Sequence, residues 1–283
     1  QLRRSKLFVP GNRRDFMRKA AAGPADSLSL DLEDAVPAAE KAEARRTVMG
    51  FLASEGAQSG KHLVVRVNPL DSGLMVGDIL AVAVPELHCI NVPKCDSPKP
   101  LHVADAVLAH VERERGLAGG SIALMANLET PAALRNAHAI ATACPRVKAL
   151  QLGFGDLKAS TGLRPDTHRL GAIRTMTILA AAEAGIEAYD SAWVDVADHA
   201  GFEADAMEAR SMGFAGKSCI HPSQVEACNR IFAPDAAALD EARALIETYE
   251  AAEREGRGAV LFRGRLVDAV HVAEARRLLT LAS

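Results

Sequence analysis

Ser121-Ile122-Ala123-Leu124-Met125-Ala126-Asn127-Leu128 is a short, nearly unbroken apolar run, and Glu129-Thr130-Pro131 closes it and opens a helix. Thr130 suits an N-cap, and Pro131 suits the first helical position, where no amide donor is needed. The same pattern recurs along the chain. Strand candidates are Lys6 to Val9, Ser27 to Leu32, His62 to Val67, His88 to Val92, Ser121 to Leu128, Ala149 to Gly153, Ile186 to Tyr189 and Gly216 to Ile220. Helical segments separate them, among them Ala38 to Ser54 and a stripe of Leu101, Ala104, Val107, Leu108 and Val111 that stops near Gly116. Parallel neighbours need a crossover, so this alternation predicts a parallel sheet. Eight units favour closure into a (β/α)8 TIM barrel, with a doubly wound open sheet as runner-up.

The barrel is expected over residues 1–233 and a C-terminal helix-hairpin-helix extension over 234–283. The extension reads as a helix from about Asp235 to Glu255, a break at Gly256-Arg257-Gly258, a hairpin through Val260 to Val267 turning at Arg263-Gly264, and a last helix to Leu281. It is too small for a core of its own, which predicts packing on its own barrel or at a subunit interface.

Of the 283 residues, 49% are hydrophobic, enough for a substantial core without disulfides. With 33 Lys+Arg against 36 Asp+Glu, the net charge of -3 gives no general attraction to nucleic acid or acidic membrane. Five scattered cysteines form no C-x-x-C pair, which fits a reducing cytoplasm. No apolar stretch is long enough to span a membrane.

Active sites of parallel barrels lie at the carboxyl ends of the strands. There the sequence gathers Asp31-Leu32-Glu33-Asp34, Arg66-Val67-Asn68, Pro93-Lys94, Glu129-Thr130, Gly153-Phe154-Gly155-Asp156, Asp190, Lys217 and His221. Glu129 and Asp156 close adjacent strands, a placement suited to a hard divalent cation that keeps open positions for water or substrate oxygen, with Mg²⁺ the natural candidate. Asp31, Glu33 and Asp34 add negative charge that can orient the remaining waters. Alternatively, these acids cap helices or pair with Arg66, Lys94 and Lys217. So many ionisable groups at one mouth are costly to keep for stability alone.

Taken in order, Arg4-Ser5-Lys6-Leu7-Phe8-Val9-Pro10-Gly11, Asp31-Leu32-Glu33-Asp34-Ala35-Val36, Val65-Arg66-Val67-Asn68, Pro93-Lys94, Leu128-Glu129-Thr130, Gly153-Phe154-Gly155-Asp156, and Gly213-Phe214-Ala215-Gly216-Lys217 leading to Ile220-His221-Pro222-Ser223-Gln224 resemble the citrate lyase β-subunit-like branch of the HpcH/HpaI aldolase family. The resemblance runs through nearly the whole chain. It implies a (β/α)8 barrel, a homotrimer or hexamer, and Mg²⁺ held by Glu129 and Asp156. It further implies that Arg66 contacts substrate and its thioester oxygen, and that backbone N–H groups at Gly155-Asp156 hold the carboxylate of the oxo-acid half. Asp268, in the extension, would reach the site of an adjacent protomer as acid/base; its other reading is an N-cap for the last helix. Arg4 and Arg13 are candidate contacts for coenzyme A phosphates.

The implied reaction is reversible carbon-carbon cleavage of a 3-hydroxy-acyl-CoA of the malyl-, citramalyl- or citryl-CoA type to a short acyl-CoA and a 2-oxo acid. One segment departs from the family pattern: Asp190-Ser191-Ala192-Trp193 stands where Asp-Gly-Pro-Phe is common. Trp193 either reshapes the acyl pocket or packs in the core. Competing readings are a Schiff-base aldolase using Lys94 or Lys217, a thioesterase on the same substrates, and a carrier-dependent subunit of a larger lyase complex.

Overall fold

The computed structural model describes residues 2–163 and 167–282. Two compact units are present, one spanning Arg3–Phe232 and the other holding Leu2 and the residues from Ala233 on. In the first, eight parallel strands pair in sequence order and close: β1 (Ser5–Pro10), β2 (Ser27–Asp31), β3 (His62–Arg66), β4 (Cys89–Val92), β5 (Ala123–Leu128), β6 (Val147–Leu152), β7 (Glu187–Asp190) and β8 (Gly216–Cys219). This is the expected TIM barrel.

Around it run α1 (Arg14–Ala22), α2 (Lys41–Phe51), α3 (Met75–Val82), α4 (Lys99–Arg115), α5 (Pro131–Arg135), α6 (Ala137–Ala141), α7 (Phe154–Thr161), α8 (Thr167–Glu183), α9 (His199–Ser211) and α10 (Val225–Ile231). The single helix expected over Ala38 to Ser54 is built in three turns of different pitch. A 3₁₀ turn at Ala38–Glu40 precedes α2, and a π turn at Leu52–Gly56 follows it. Gly56, the last residue of the π turn, packs closely on the preceding turn, where a Cβ would lie 2.9 Å from the Phe51 carbonyl oxygen.

Period-two alternation divides each strand between two cores. Outward residues such as Leu7, Val9, Leu28, Leu30, Val65 and Ile90 join the large layer beneath the helices. Inward residues Val64, Cys89, Met125, Ala149 and Tyr189 form a smaller cluster. Closure between β8 and β1 requires Gly216, whose added Cβ would meet the Arg4 and Arg3 carbonyl oxygens at 2.5 and 2.6 Å.

One fully buried ion cluster ties the helical layer to the barrel. The Lys217 ammonium on β8 donates to Asp190 Oδ2 (2.6 Å), Asp205 Oδ2 (2.5 Å) and the Ser191 carbonyl (2.6 Å). The Arg174 guanidinium on α8 donates to the same two carboxylates at 2.9 and 2.5 Å. Burial alone would lower the Lys217 pKa, but the charges of Asp190 and Asp205 outweigh it and raise it.

In the second unit, α11 (Ala236–Arg254) is capped by Asp235, which accepts from the Ala237 amide at 3.0 Å. It packs against α12 (Ala269–Ala282). Between them β9 (Ala259–Phe262) and β10 (Arg265–Asp268) form an antiparallel hairpin, with Arg263 and Gly264 both at positive φ in the turn. No described helix is long and apolar enough to cross a membrane.

Removing one carboxylate from the Lys217 cluster leaves buried cations uncompensated. Asp190→Ala is expected to lose about 3–5 kcal/mol of unfolding free energy, read by urea denaturation; a loss below ~1 kcal/mol would show that the cluster does not hold the helices.

Candidate active site

The carboxyl ends of the strands carry a connected set of charges built on Arg66. Asp31 and Arg66 are register partners on β2 and β3. Arg66 Nε and Nη2 donate to the two Asp31 oxygens at 2.7 Å each, a bidentate pair. Asp31 also accepts the amides of Glu33 (2.9 Å) and Ala35 (3.0 Å). Arg66 Nη1 lies 2.8 Å from Glu33 and 3.6 Å from Asp34, and its guanidinium stands 5.1 Å from the centre of the Phe8 ring. The side chain stays 13% exposed.

These contacts set the protonation states. Burial would lower the Arg66 pKa, but its hydrogen bonds and the surrounding acids raise it. Burial opposes ionisation of Asp31, yet Arg66 wins and holds it below the ordinary carboxylate range. Glu33 goes the other way: burial, reinforced by Asp34 and Glu129, pushes it up to about 7 against the pull of Arg66 and Lys94.

Lys94 connects this group to the next. Its ammonium lies 3.3 Å from Glu33 and 3.9 Å from Asp34. Its backbone adopts φ 50°, a left-handed conformation uncommon outside glycine. That turn aims its amide at Glu129 Oε1, 2.5 Å away. Asn127 Nδ2 donates to the other oxygen at 3.2 Å.

Glu129 is 2% exposed. Burial raises its pKa, and the charge of Asp156 raises it further while the Lys94 amide opposes. Asp156 stands in the first turn of α7, after Gly153. Space for Glu129 depends on that glycine, since a Cβ at position 153 would lie 2.7 Å from Glu129 Oε2. The Phe154 amide donates to Ser191 Oγ at 2.8 Å. The amides of Gly155 and Asp156 come next, in a turn whose donors have no acceptor within the helix.

The donor set fits a hard cation. Two carboxylates repel one another there, and a cation near both would relieve that repulsion. Among the described residues no group of three or more His, Cys, Asp or Glu side chains is arranged for a metal. An ion would therefore draw its other ligands from water and substrate. A cavity of about 740 Å³ opens beside Asp156, lined in part by Lys94, Asp96, Lys99, Thr130, Asp156 and Ser160.

The sequence reading brings Arg66, Asp31, Glu33, Asp34, Lys94, Glu129 and Asp156 to one rim, and the structure does the same. It gives the acids near Arg66 a more specific role: Asp31 and Glu33 face Arg66, and Glu33 and Asp34 also face Lys94. Arg4 requires a correction. It precedes β1, so it lies at the amino end of the barrel, roughly 15–20 Å of strand away from the mouth. There it donates to Asp26 at 2.8 and 3.0 Å and to the Asn229 carbonyl. Arg13 lies at the carboxyl end of β1, exposed and paired with Asp15 at 3.1 Å.

Asp268 belongs to the second unit, where its carboxylate accepts from the Val270 amide (3.0 Å) and contacts His271 Nδ1 (2.7 Å). His271 holds its pKa low. Trp193 packs against the large core and over Gly201, where a Cβ would lie 2.6 Å from the ring. Both lysines of the amine route are held as ammonium by acids, Lys217 by Asp190 and Asp205, and Lys94 by Glu33 and Asp34.

Sequence reasoning missed Phe8, Asn127, Ser191 and the Lys94 backbone. Phe8 and Asn127 were accessible through strand alternation, because each lies two residues from another inward position.

A model of the HpcH/HpaI aldolase/citrate lyase family matches residues 4–222. Citrate lyase subunit beta of Escherichia coli K12 is 35% identical over 99% of this chain and 93% of its own. L-malyl-CoA/beta-methylmalyl-CoA lyase of Rhodobacter capsulatus is 32% identical over 97% of this chain and 93% of its own. Among solved structures, the CitE protein of Mycobacterium tuberculosis in complex with magnesium, acetoacetate and coenzyme A is 27% identical. It covers 99% of this chain and 97% of its own, with a TM-score of 0.74.

Two outcomes test the geometry. Gly153→Ala should displace Glu129 and free the Lys94 amide, accelerating its hydrogen exchange while the far-ultraviolet circular dichroism stays unchanged; exchange at the wild-type rate would refute the cradle. Because Glu33 binds its proton up to about 7 when folded, against 4.5 as its ordinary value, the folded chain holds the extra proton between those values and stability falls as pH rises through them. Glu33→Gln should therefore gain thermal stability over the wild type at pH 8 relative to pH 5. A gap independent of pH would count against the assignment.

Proposed function

The chain belongs to the HpcH/HpaI aldolase/citrate lyase family, and from that premise we propose that it is a Mg²⁺-dependent carbon-carbon lyase acting on a 3-hydroxy-acyl-CoA thioester of the malyl-, citramalyl- or citryl-CoA type. The products are a short acyl-CoA and a 2-oxo acid, and the reaction runs in either direction. The observation that carries this reading is the joint placement of a fixed guanidinium, Arg66, and two close carboxylates, Glu129 and Asp156, at the strand ends.

In this reading Glu129 and Asp156 hold the Mg²⁺. When bound, the ion stabilises oxygen charge on the oxo-acid half of the substrate. The chain's own groups do the rest. The Gly155 and Asp156 amides hold the oxo-acid carboxylate. Transfer of the 3-hydroxyl proton to the acid/base carboxylate lets the carbon-carbon bond break, and its electrons move to the thioester oxygen. Arg66 meets that developing oxyanion with a guanidinium already fixed by Asp31 and Glu33, so no reorganisation is needed as charge appears. Asp268 of an adjacent protomer serves as acid/base and returns a proton to the enolate carbon. Lys94 keeps Glu129 and Glu33 in place, and Arg13 is the remaining candidate for the coenzyme A phosphates.

This reading includes a homotrimer or hexamer, with residues 234–283 as the segment that reaches a neighbour, and a cytoplasmic location. All five cysteines are unpaired, which supports a reducing compartment. The relatives' names and the magnesium and coenzyme A bound to the Mycobacterium tuberculosis protein support the substrate class and the ion.

The test is a screen of malyl-, citramalyl- and citryl-CoA with thioester and oxo acid followed separately. One substrate should yield both acyl-CoA and oxo acid, stop with EDTA and resume with Mg²⁺; release of the intact hydroxy acid would mean thioester hydrolysis instead. Arg66→Lys should lower kcat by about 10²–10³-fold, the scale of losing an oxyanion donor, and Glu129→Gln should abolish Mg²⁺ binding by calorimetry. An unaffected kcat or unchanged binding would overturn the assignment of that residue.

A further inference from the structure

The barrel interior below the mouth is unusually polar, and at its floor sits an amine that the reaction as described does not use. Lys6 is 1% exposed. Its outer neighbours on β1, Leu7 and Val9, belong to the helix-facing core, so Lys6 and Phe8 point inward. The hydrogen-bond acceptor of its ammonium is the Met125 thioether, at 3.2 Å, a weak one. Asn91 Nδ2 approaches the same sulfur at 3.6 Å.

Around this amine the interior presents oxygens that lack a protein donor among the described residues. They are Ser29 Oγ, Asn91 Oδ1, Asn127 Oδ1 and Gln151 Oε1, on residues 0 to 3% exposed. Their amide nitrogens are engaged: Asn127 Nδ2 with Glu129, and Gln151 Nε2 with Ser218 Oγ at 2.8 Å and the Asp190 carbonyl at 3.0 Å. What remains is three amide oxygens that can only accept and one hydroxyl that can do either, a lining that suits a cation with its hydration water.

Charged and titratable groups face Lys6 from the strands around it: Asp31 on β2, His62 and Arg66 on β3, Cys89 on β4, and Glu129 just beyond the end of β5. Burial holds neutral both the Cys89 thiol, pushed up to about 12, and the His62 ring, pushed down to about 3. The interactions that change with the state of the mouth are therefore those with the acids. Asp31 is paired to Arg66, while Glu129 is a member of the cation-binding pair of the proposed function.

We propose that Lys6 is the internal counter-cation of the mouth, protonated while Glu129 and Asp156 stand without a divalent ion and releasing its proton when an ion binds them. The inference rests on the Mg²⁺ site of the proposed function. Ion binding and Lys6 protonation oppose each other through charge: Glu129, one of the two carboxylates that stabilise the ammonium, becomes neutralised, and the ion repels it. The ammonium becomes a neutral amine, and its proton leaves to solvent through the mouth. Burial, the largest influence, already brings Lys6 down to about 7; the Arg66 charge lowers it further, and Cys89, Asp31 and Glu129 act in the raising direction, Glu129 least. Modest changes at the mouth thus move it across neutrality. Lys6 is a positioning residue here, setting ion affinity without touching substrate.

Calorimetric Mg²⁺ titrations of wild type and Lys6→Met at two pH values test this. Methionine keeps the length and removes a buried charge whose hydrogen bond is to a thioether and not to a carboxylate, so no salt-bridge partner is stranded. At pH 6 the variant should bind Mg²⁺ about fivefold more tightly than the wild type, the effect at that pH of a Lys6 midpoint lowered by about one unit from about 7, with near equality at pH 8.5. Binding in both proteins with the same ratio at both pH values overturns the Lys6 inference alone. Absence of binding in the wild type, or Glu129→Gln binding as well as wild type, overturns the Mg²⁺ site and this inference with it.

A second measurement needs no substitution. In protein carrying ¹³C at lysine Cε, Mn²⁺ should broaden a signal that titrates near neutral pH, and saturating Mg²⁺ should lower its midpoint by about one pH unit or more. Lys94, also near the mouth, is distinguished by its raised pKa, held up by Glu33 and Asp34 against burial. No neutral-titrating signal, or one that Mg²⁺ leaves in place, overturns the inference.

Discussion

The pairing of Arg66 with Asp31 is the contact on which the mouth of the barrel depends. Two charges buried at the ends of neighbouring strands lose their hydration, and only good geometry offsets that loss. Here the strand register supplies the geometry, since the two residues are directly opposed. The amides of Glu33 and Ala35 then satisfy the carboxylate. The result is a guanidinium with a fixed plane whose side chain keeps 13% exposure. Its charge in turn makes Glu33 and Asp34 tolerable beside it, and Glu33 and Asp34 attract Lys94, whose backbone holds Glu129.

A second ion cluster shows how strand alternation divides labour between residues that look alike in sequence. Arg66 is the last residue of β3 and Lys217 the second of β8. Lys217 points outward, meets Asp190, Asp205 and the nearby Arg174, and fastens α8 and α9 to the barrel wall. Arg66 points inward and is open at the mouth. A step of one residue along a strand separates a structural cation from a chemical one.

Much was legible in the chain itself. The strand-helix alternation and the Thr130-Pro131 helix start gave the barrel, because apolar periodicity and capping are local properties. The acids and bases at the strand ends could be listed as one group once closure was assumed. Phe8 beneath Arg66, Asn127 on Glu129 and the left-handed Lys94 were not found, since each acts through a contact with a residue distant in sequence. Arg4 was grouped with Arg13 as a phosphate contact, and its partners Asp26 and Asn229 appear only when β1, β2 and α10 come together.

The sequence by itself determined the number and order of the strands, the side of the barrel on which the acids and bases gather, and the family to which those motifs belong. All of these follow from patterns of a few residues. Only the tertiary structure decided which acid neutralises which base, that Gly153 leaves room for Glu129, and that Lys6 faces an interior of unpartnered oxygens. Those outcomes depend on register across strands and on burial, and burial changes the free energy of a charge far more than its neighbours in sequence can.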